Sequence, residues 1–170
     1  MTLPFRLVFG MLLAALVAGC GFQLRGSYSL PYESLYLAVG EGSVVGAGLK
    51  RAIRATGGTR LTETPEDAQA IFMPSSEARV PEILSLSGAG RVREKRLKYR
   101  YGYRVVDNKG RNLIAPGMVE LSRDLTYADS DVLAKTQEEE LLWRDMESDL
   151  VQQLMRRLAA SKPVFPTPAE

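Results

Sequence analysis

Residues 96–106 read RLKYRYGYRVV and alternate with period two: Leu97, Tyr99, Tyr101, Tyr103 and Val105 on one side, Arg96, Lys98, Arg100 and Arg104 on the other. Successive side chains of a strand point to opposite faces, so this is a strand with a buried apolar face and a solvated cationic one. The tyrosine row reads as core rather than as a platform for stacking sugar rings, since tyrosine suits a pleated, half-buried surface. DNKG at 107–110 is a turn ending in glycine, and 111–127 returns as a second long strand interrupted at Pro116-Gly117. Upstream, 68–86 is a further extended segment in which Pro74 and Pro81 point to an edge strand or a bulged one.

Further from the centre the period changes. Residues 35–39 (LYLAV) read as a short buried strand and 59–62 as another. Between them, 45–55 places Val45, Leu49, Ala52 and Ile53 at helical spacing, and Gly57-Gly58 stops that helix. From 130 to 160 runs a long helix, with Ser130 or Asp131 as its N-cap, acidic residues in its first half and Arg156-Arg157 near its end, an order that suits the helix dipole. Its stripe of Leu142, Met146, Leu150, Leu154 and Leu158, widened by Trp143 and Val151, must lie on the sheet. Strand, helix, several strands, helix is an α+β order, with both helices on one sheet face and cations on the other.

Composition narrows the chemistry. The chain has 170 residues, 22 Lys plus Arg against 20 Asp plus Glu, no histidine and one cysteine. Without histidine there is no Ser-His-Asp or Cys-His catalysis and no His-containing zinc site, and one cysteine forms neither an internal disulfide nor a cysteine metal cluster. A formal charge of +2 gives no global field that would draw nucleic acid. Glu138 to Glu140 reads as a solvated charge run, Gly88-Ala89-Gly90 lacks the strand-then-helix setting of a phosphate loop, and Ser87 has no activating base beside it. No cofactor is expected and no enzyme is supported.

The cysteine sits where it is informative. Arg6 precedes an apolar run from Leu7 to Val17, followed by Ala18-Gly19-Cys20. Eleven residues make a helix of roughly 17 Å, short of a hydrocarbon core of about 30 Å, so the run reads as a signal peptide over 1–19. The order Leu16-Val17-Ala18-Gly19-Cys20 resembles a bacterial lipobox, which implies lipid attachment at Cys20 and cleavage before it. Gly21 in place of aspartate implies, by the same resemblance, sorting to the outer membrane. Residues 20–34 then read as a lipidated tether, 35–162 as the domain, and 163–170, with three prolines, as a disordered tail.

The remaining feature is a run of cations: Arg91, Arg93, Lys95, Arg96, Lys98 and Arg100, interrupted by Glu94 alone among acids. Two readings compete. Such a run binds multiply anionic groups through charge-assisted hydrogen bonds, or it pairs across strands with Glu120 and Asp124. The Pro116-Gly117 break hides the register that would decide between them.

Taken in order, CGFQLRG at 20–26, VREKRLKY at 92–99, RDLTY at 123–127, LAKTQEE at 133–139 and MESDLVQQLMRRL at 146–158 resemble the LptE family of lipopolysaccharide-assembly lipoproteins. The resemblance covers essentially the whole mature domain. It implies two helices packed on one face of a mixed, roughly four-stranded sheet, so that some of the strand candidates are segments of one bent strand. It also implies a non-enzymatic outer-membrane lipoprotein that plugs its partner, the LptD β-barrel, assists that barrel's assembly and binds lipopolysaccharide. By the same resemblance Lys135 matches one basic lipopolysaccharide-contacting position and Arg91 stands nearest the other; with Arg93 they are the expected binding residues. The alternatives are a different envelope binding module, for example one for peptidoglycan, and a lipoprotein hydrolase.

Overall fold

The computed structural model describes residues 29–127 and 132–165; Cys20, the two candidate N-cap residues and the end of the tail lie outside them. In chain order the elements are β1 (Ser34–Leu37), α1 (Val44–Thr56), β2 (Arg60–Leu61), β3 (Ala70–Leu86), β4 (Val92–Val106), β5 (Asn112–Thr126) and α2 (Val132–Ala160). The sheet order is β2-β1-β3-β4-β5, with β1 parallel to both of its neighbours and β3, β4 and β5 antiparallel in succession. The sheet is mixed and has five strands. That is one more than the resemblance implied but matches the five segments read as strands, the shortest being β2, two residues long within the 59–62 stretch and added in parallel where the chain leaves α1.

Local chemistry sets the boundaries. Ser43 caps α1, its Oγ accepting from the Gly46 N–H at 3.0 Å, and Gly57 ends the helix in the left-handed region at φ 68°. The two hairpin turns share one design. In each, the residue before the turn bonds back across it: Ser87 N–H to Arg91 O at 2.7 Å, and Asp107 N–H to Arg111 O at 2.9 Å. Gly90 and Gly110, three residues further on, take φ values of 76° and 78° that other residues adopt only with strain.

The two readings of β3 are each true of one half of it. Its first residues, Ala70 to Phe72, lie between β1 and β4, whereas β1 supplies no partner beyond Phe72. Both prolines are accommodated by that free edge, and Pro74 also by the register shift at Pro74/Ser76. At about 3.3 Å per residue β3 runs roughly 50 Å, so the β3-β4-β5 unit reaches well beyond the four residues of β1. The molecule thus has a body, where β1 and both helices meet the sheet, and an arm that ends at the β3-β4 turn.

In the body one apolar core joins Val45, Leu49 and Ile53 of α1 and Met146, Leu150, Leu154 and Leu158 of α2 to Leu35, Phe72, Tyr101 and Val105 of the sheet. Tyr103 stacks on Phe72 at 5.6 Å and lies over Gly117, where a Cβ would come within 2.7 Å of its ring. The stretch expected to be tether already belongs to this core: Leu30 and Tyr32 are buried, and the Tyr32 carbonyl accepts from Thr59 Oγ1 at 2.8 Å. The start of the expected tail is also held, since the Val164 N–H donates to Leu113 O at 3.0 Å and Phe165 meets Tyr32 edge to face. Neither stretch shows a period, because neither lies along a regular element; different neighbours hold each residue.

Candidate functional site

The β4-β5 register resolves the competition over the cationic run. Arg96 stands opposite Asp124 and Arg100 opposite Glu120. Arg96 forks onto Asp124 with two bonds of 2.7 and 2.8 Å, Arg100 donates to Glu120 at 2.9 Å, and Lys98 reaches across to Glu82 of β3 at 2.8 Å. The outer face is therefore a charge-neutralised ladder. The Arg96 and Lys98 cations hold the Asp124 and Glu82 carboxyls below the usual carboxylate range.

Lys95 shares the parity of Leu97 and turns toward α2. It donates to Glu139 at 2.7 Å, and its ammonium lies 5.3 Å from the centre of the Tyr127 ring. Tyr127 adds a bond from its hydroxyl to the same carboxylate at 3.0 Å. Glu139 holds the ammonium above its ordinary value, with Tyr127 assisting. Burial works to raise the Glu139 carboxyl, but the bonds from Lys95 and Tyr127 outweigh it and the group titrates low.

Lys95, Arg96, Lys98 and Arg100 thus pair with carboxylates on neighbouring elements, and Arg91 and Arg93 sit at the arm's tip. Arg91 closes the turn and its N–H donates to Ser87 Oγ at 3.1 Å. Arg93 is exposed, makes no ion pair with any described residue, and accepts the Tyr127 N–H on its carbonyl at 2.8 Å. Lys135 lies one helical turn before Glu139, so both face the same way. That places Lys135 at the arm's end of α2, where it donates to Glu138 at 2.7 Å. The three expected binding residues therefore gather at one end of the molecule, with a shallow groove between Ser85, Arg93, Glu94, Thr126 and Tyr127.

A second charged cluster was not expected from the sequence. Arg79 of β3 faces inward, bonds Glu147 of α2, and sits 5.0 Å from the Tyr99 ring centre and 5.8 Å from that of Trp143. Tyr99 donates to Glu77 at 2.5 Å, and burial with that bond pushes its hydroxyl far above its ordinary value. Beside it the Tyr101 hydroxyl is buried without a partner among the described residues and is pushed up to about 12. Arg123 of β5 likewise turns inward to Asp149. Parity along β3 changes at the Pro74/Ser76 shift, so the alternation read from Ala70 to Phe72 does not carry over to Arg79. The open hollow between the helices offers less: of its charged lining, Arg144 and Glu147 are already paired with Glu140 and Arg79.

This fold has known relatives. Residues 32–158 match the family model LptE, described as lipopolysaccharide-assembly. The chain belongs to the LptE family. Among solved LptE-like folds, lipoprotein B from Nitrosomonas europaea is 38% identical, with a TM-score of 0.69 over 82% of this chain and 91% of that one. A minor lipoprotein from Acinetobacter baumannii, 22% identical, shares the fold at a TM-score of 0.66 over 82% of this chain and 99% of that one. The rare lipoprotein B from Shewanella oneidensis, also 22% identical, shares it at 0.64 over 75% and 94%. No curated protein matches the sequence. The family match begins at Tyr32, which is fully buried, so the LptE domain includes part of what the sequence suggested was tether.

Proposed function

We propose that this protein is an outer-membrane lipoprotein, anchored through lipid on Cys20, that plugs and assists assembly of an LptD β-barrel and binds lipopolysaccharide on its way to the cell surface. The binding face is the arm's tip, where Arg91, Arg93 and Lys135 meet the phosphates of the lipid A headgroup. The observation that carries this reading is the division of the cationic run. The cations along the arm are neutralised by Glu82, Asp124, Glu120 and Glu139, while Arg93, exposed at its end, makes no ion pair with any described residue. Arg and Lys there compete for phosphate by charge-assisted hydrogen bonds, which loosens lipopolysaccharide aggregates without bond breaking.

Changing Arg91 and Lys135 together to aspartate in the full-length chain, with folding checked by circular dichroism, should weaken lipopolysaccharide binding by about tenfold or more. Unchanged affinity contradicts the assignment. The plug role has its own test, co-purification of a large β-barrel protein after detergent extraction. Its absence would favour a different envelope binding module.

A further inference from the structure

We propose that the end of β3 is an apolar subsite for the acyl chains of the anionic amphiphile whose phosphates the tip binds, an inference that rests on the reading above. Ile83, Leu84 and Leu86 are 57%, 41% and 56% exposed, an unusual concentration of open apolar surface within four residues. They face no neighbouring strand on the outer side, because β1 ends opposite Phe72. Across the ladder Ile83 stands opposite Lys95 and Leu86 opposite Val92, so the apolar side chains lie beside the strand that carries Arg93 and the turn that carries Arg91. From Ile83 to Arg93 the sequence ILSLSGAGRVR holds two arginines and no acid. Ile83 shares the helix-side face with Lys95 and Leu86 the opposite face with Val92, so apolar side chains flank the end of β3 on both faces, next to the cations of the tip.

The occupant follows from what the edge refuses. A strand from another protein, or from a second copy, needs a regular row of donors and acceptors. Pro81 contributes no N–H, and the register shifts at Ile83/Ser85 and Ser85/Leu86 break the spacing. An acyl chain needs no ladder; it needs apolar area next to a cation for its headgroup, and this edge supplies both. Phosphate alone would leave Ile83, Leu84 and Leu86 uncovered.

The test compares two probes on the full-length chain: lipopolysaccharide, and the phosphorylated saccharide left after its acyl chains are removed. Ile83→Ser with Leu86→Ser should weaken lipopolysaccharide binding by roughly tenfold or more while leaving the deacylated saccharide unaffected, and Ile83→Leu with Leu86→Ile should restore binding. Unchanged lipopolysaccharide affinity in the serine variant overturns the subsite, as does an equal loss for both probes, which would mean a disturbed tip. A wild-type chain that self-associates, and becomes monomeric with the two serines, would show the strip to be a contact between copies and also overturn it. If acidic changes at Arg91 and Lys135 leave both probes bound as before, the phosphate reading fails instead, so the two failures are distinguishable.

Discussion

Around Phe72, Tyr103 and Leu154 the sheet and its helices meet through apolar side chains that are almost fully buried. Around Arg79, Lys95 and Arg123, on the same strands, buried Leu97 and Tyr99 still contact the helix side, but three ion pairs, to Glu147, Glu139 and Asp149, share in joining the sheet to α2. The apolar contact is non-directional and strong for each buried side chain, whereas exposed ion pairs contribute about 0.2–1 kcal/mol each and weaken with salt. One three-stranded unit therefore has a firm, wholly apolar end and an end where salt-sensitive pairs take a larger share, the more yielding of the two. The proposed ligand surface lies at the yielding one, as expected of segments that rearrange around a ligand.

This contrast can be broken at either end. Leu154→Ala, in the body, removes a side chain with no exposed surface and should cost about 3 kcal/mol of global stability in denaturant unfolding. A loss below about 1 kcal/mol would mean that the body is looser than its packing implies. Arg79→Ala, in the arm, deletes the ion pair to Glu147 and the stacking on Tyr99 and Trp143, and should cost only about 1 kcal/mol. Its signature should be local, with faster amide exchange at Leu97 and Leu121 and unchanged exchange at Leu35 and Phe72. A uniform change would erase the distinction between the two ends.

Acid gives the mildest probe. Glu139, Asp124 and Glu82 all titrate below the ordinary carboxylate value in the fold. Their contribution is therefore complete above the unfolded-state value of about 4.3 and is lost as pH falls through the lower folded values. Arm amides should keep constant protection from pH 7 to about 5 and lose it below about 4. Loss of protection between pH 7 and 5 would rule out these carboxylates as the cause.

Much of the body was legible in the sequence, because its elements obey single periods. Tyr101, Tyr103 and Val105 alternate as read, and the four-residue spacing of Met146, Leu150, Leu154 and Leu158 places all four in the core. The arm was less legible. Arg79 faces inward because of the register shift at Pro74/Ser76, and the inward charges Arg79, Lys95 and Arg123 find their partners 68, 44 and 26 residues away in α2. The fate of the cationic run was hidden for the same reason, since only the β4-β5 register shows that Arg96 and Arg100 already have partners. Tyr32 and Phe165 pack against each other from opposite ends of the domain, a contact no local pattern announces.

The central claim, that the arm's tip and not the body meets the ligand, is tested most directly by hydrogen–deuterium exchange of the full-length chain titrated with lipopolysaccharide. Slowed exchange should be confined to residues 83–93, the adjoining end of β5 around Tyr127 and the first turns of α2 around Lys135, with β1, α1 and the second half of α2 unchanged. Protection centred on the body, or none at the tip at saturating ligand, would contradict it.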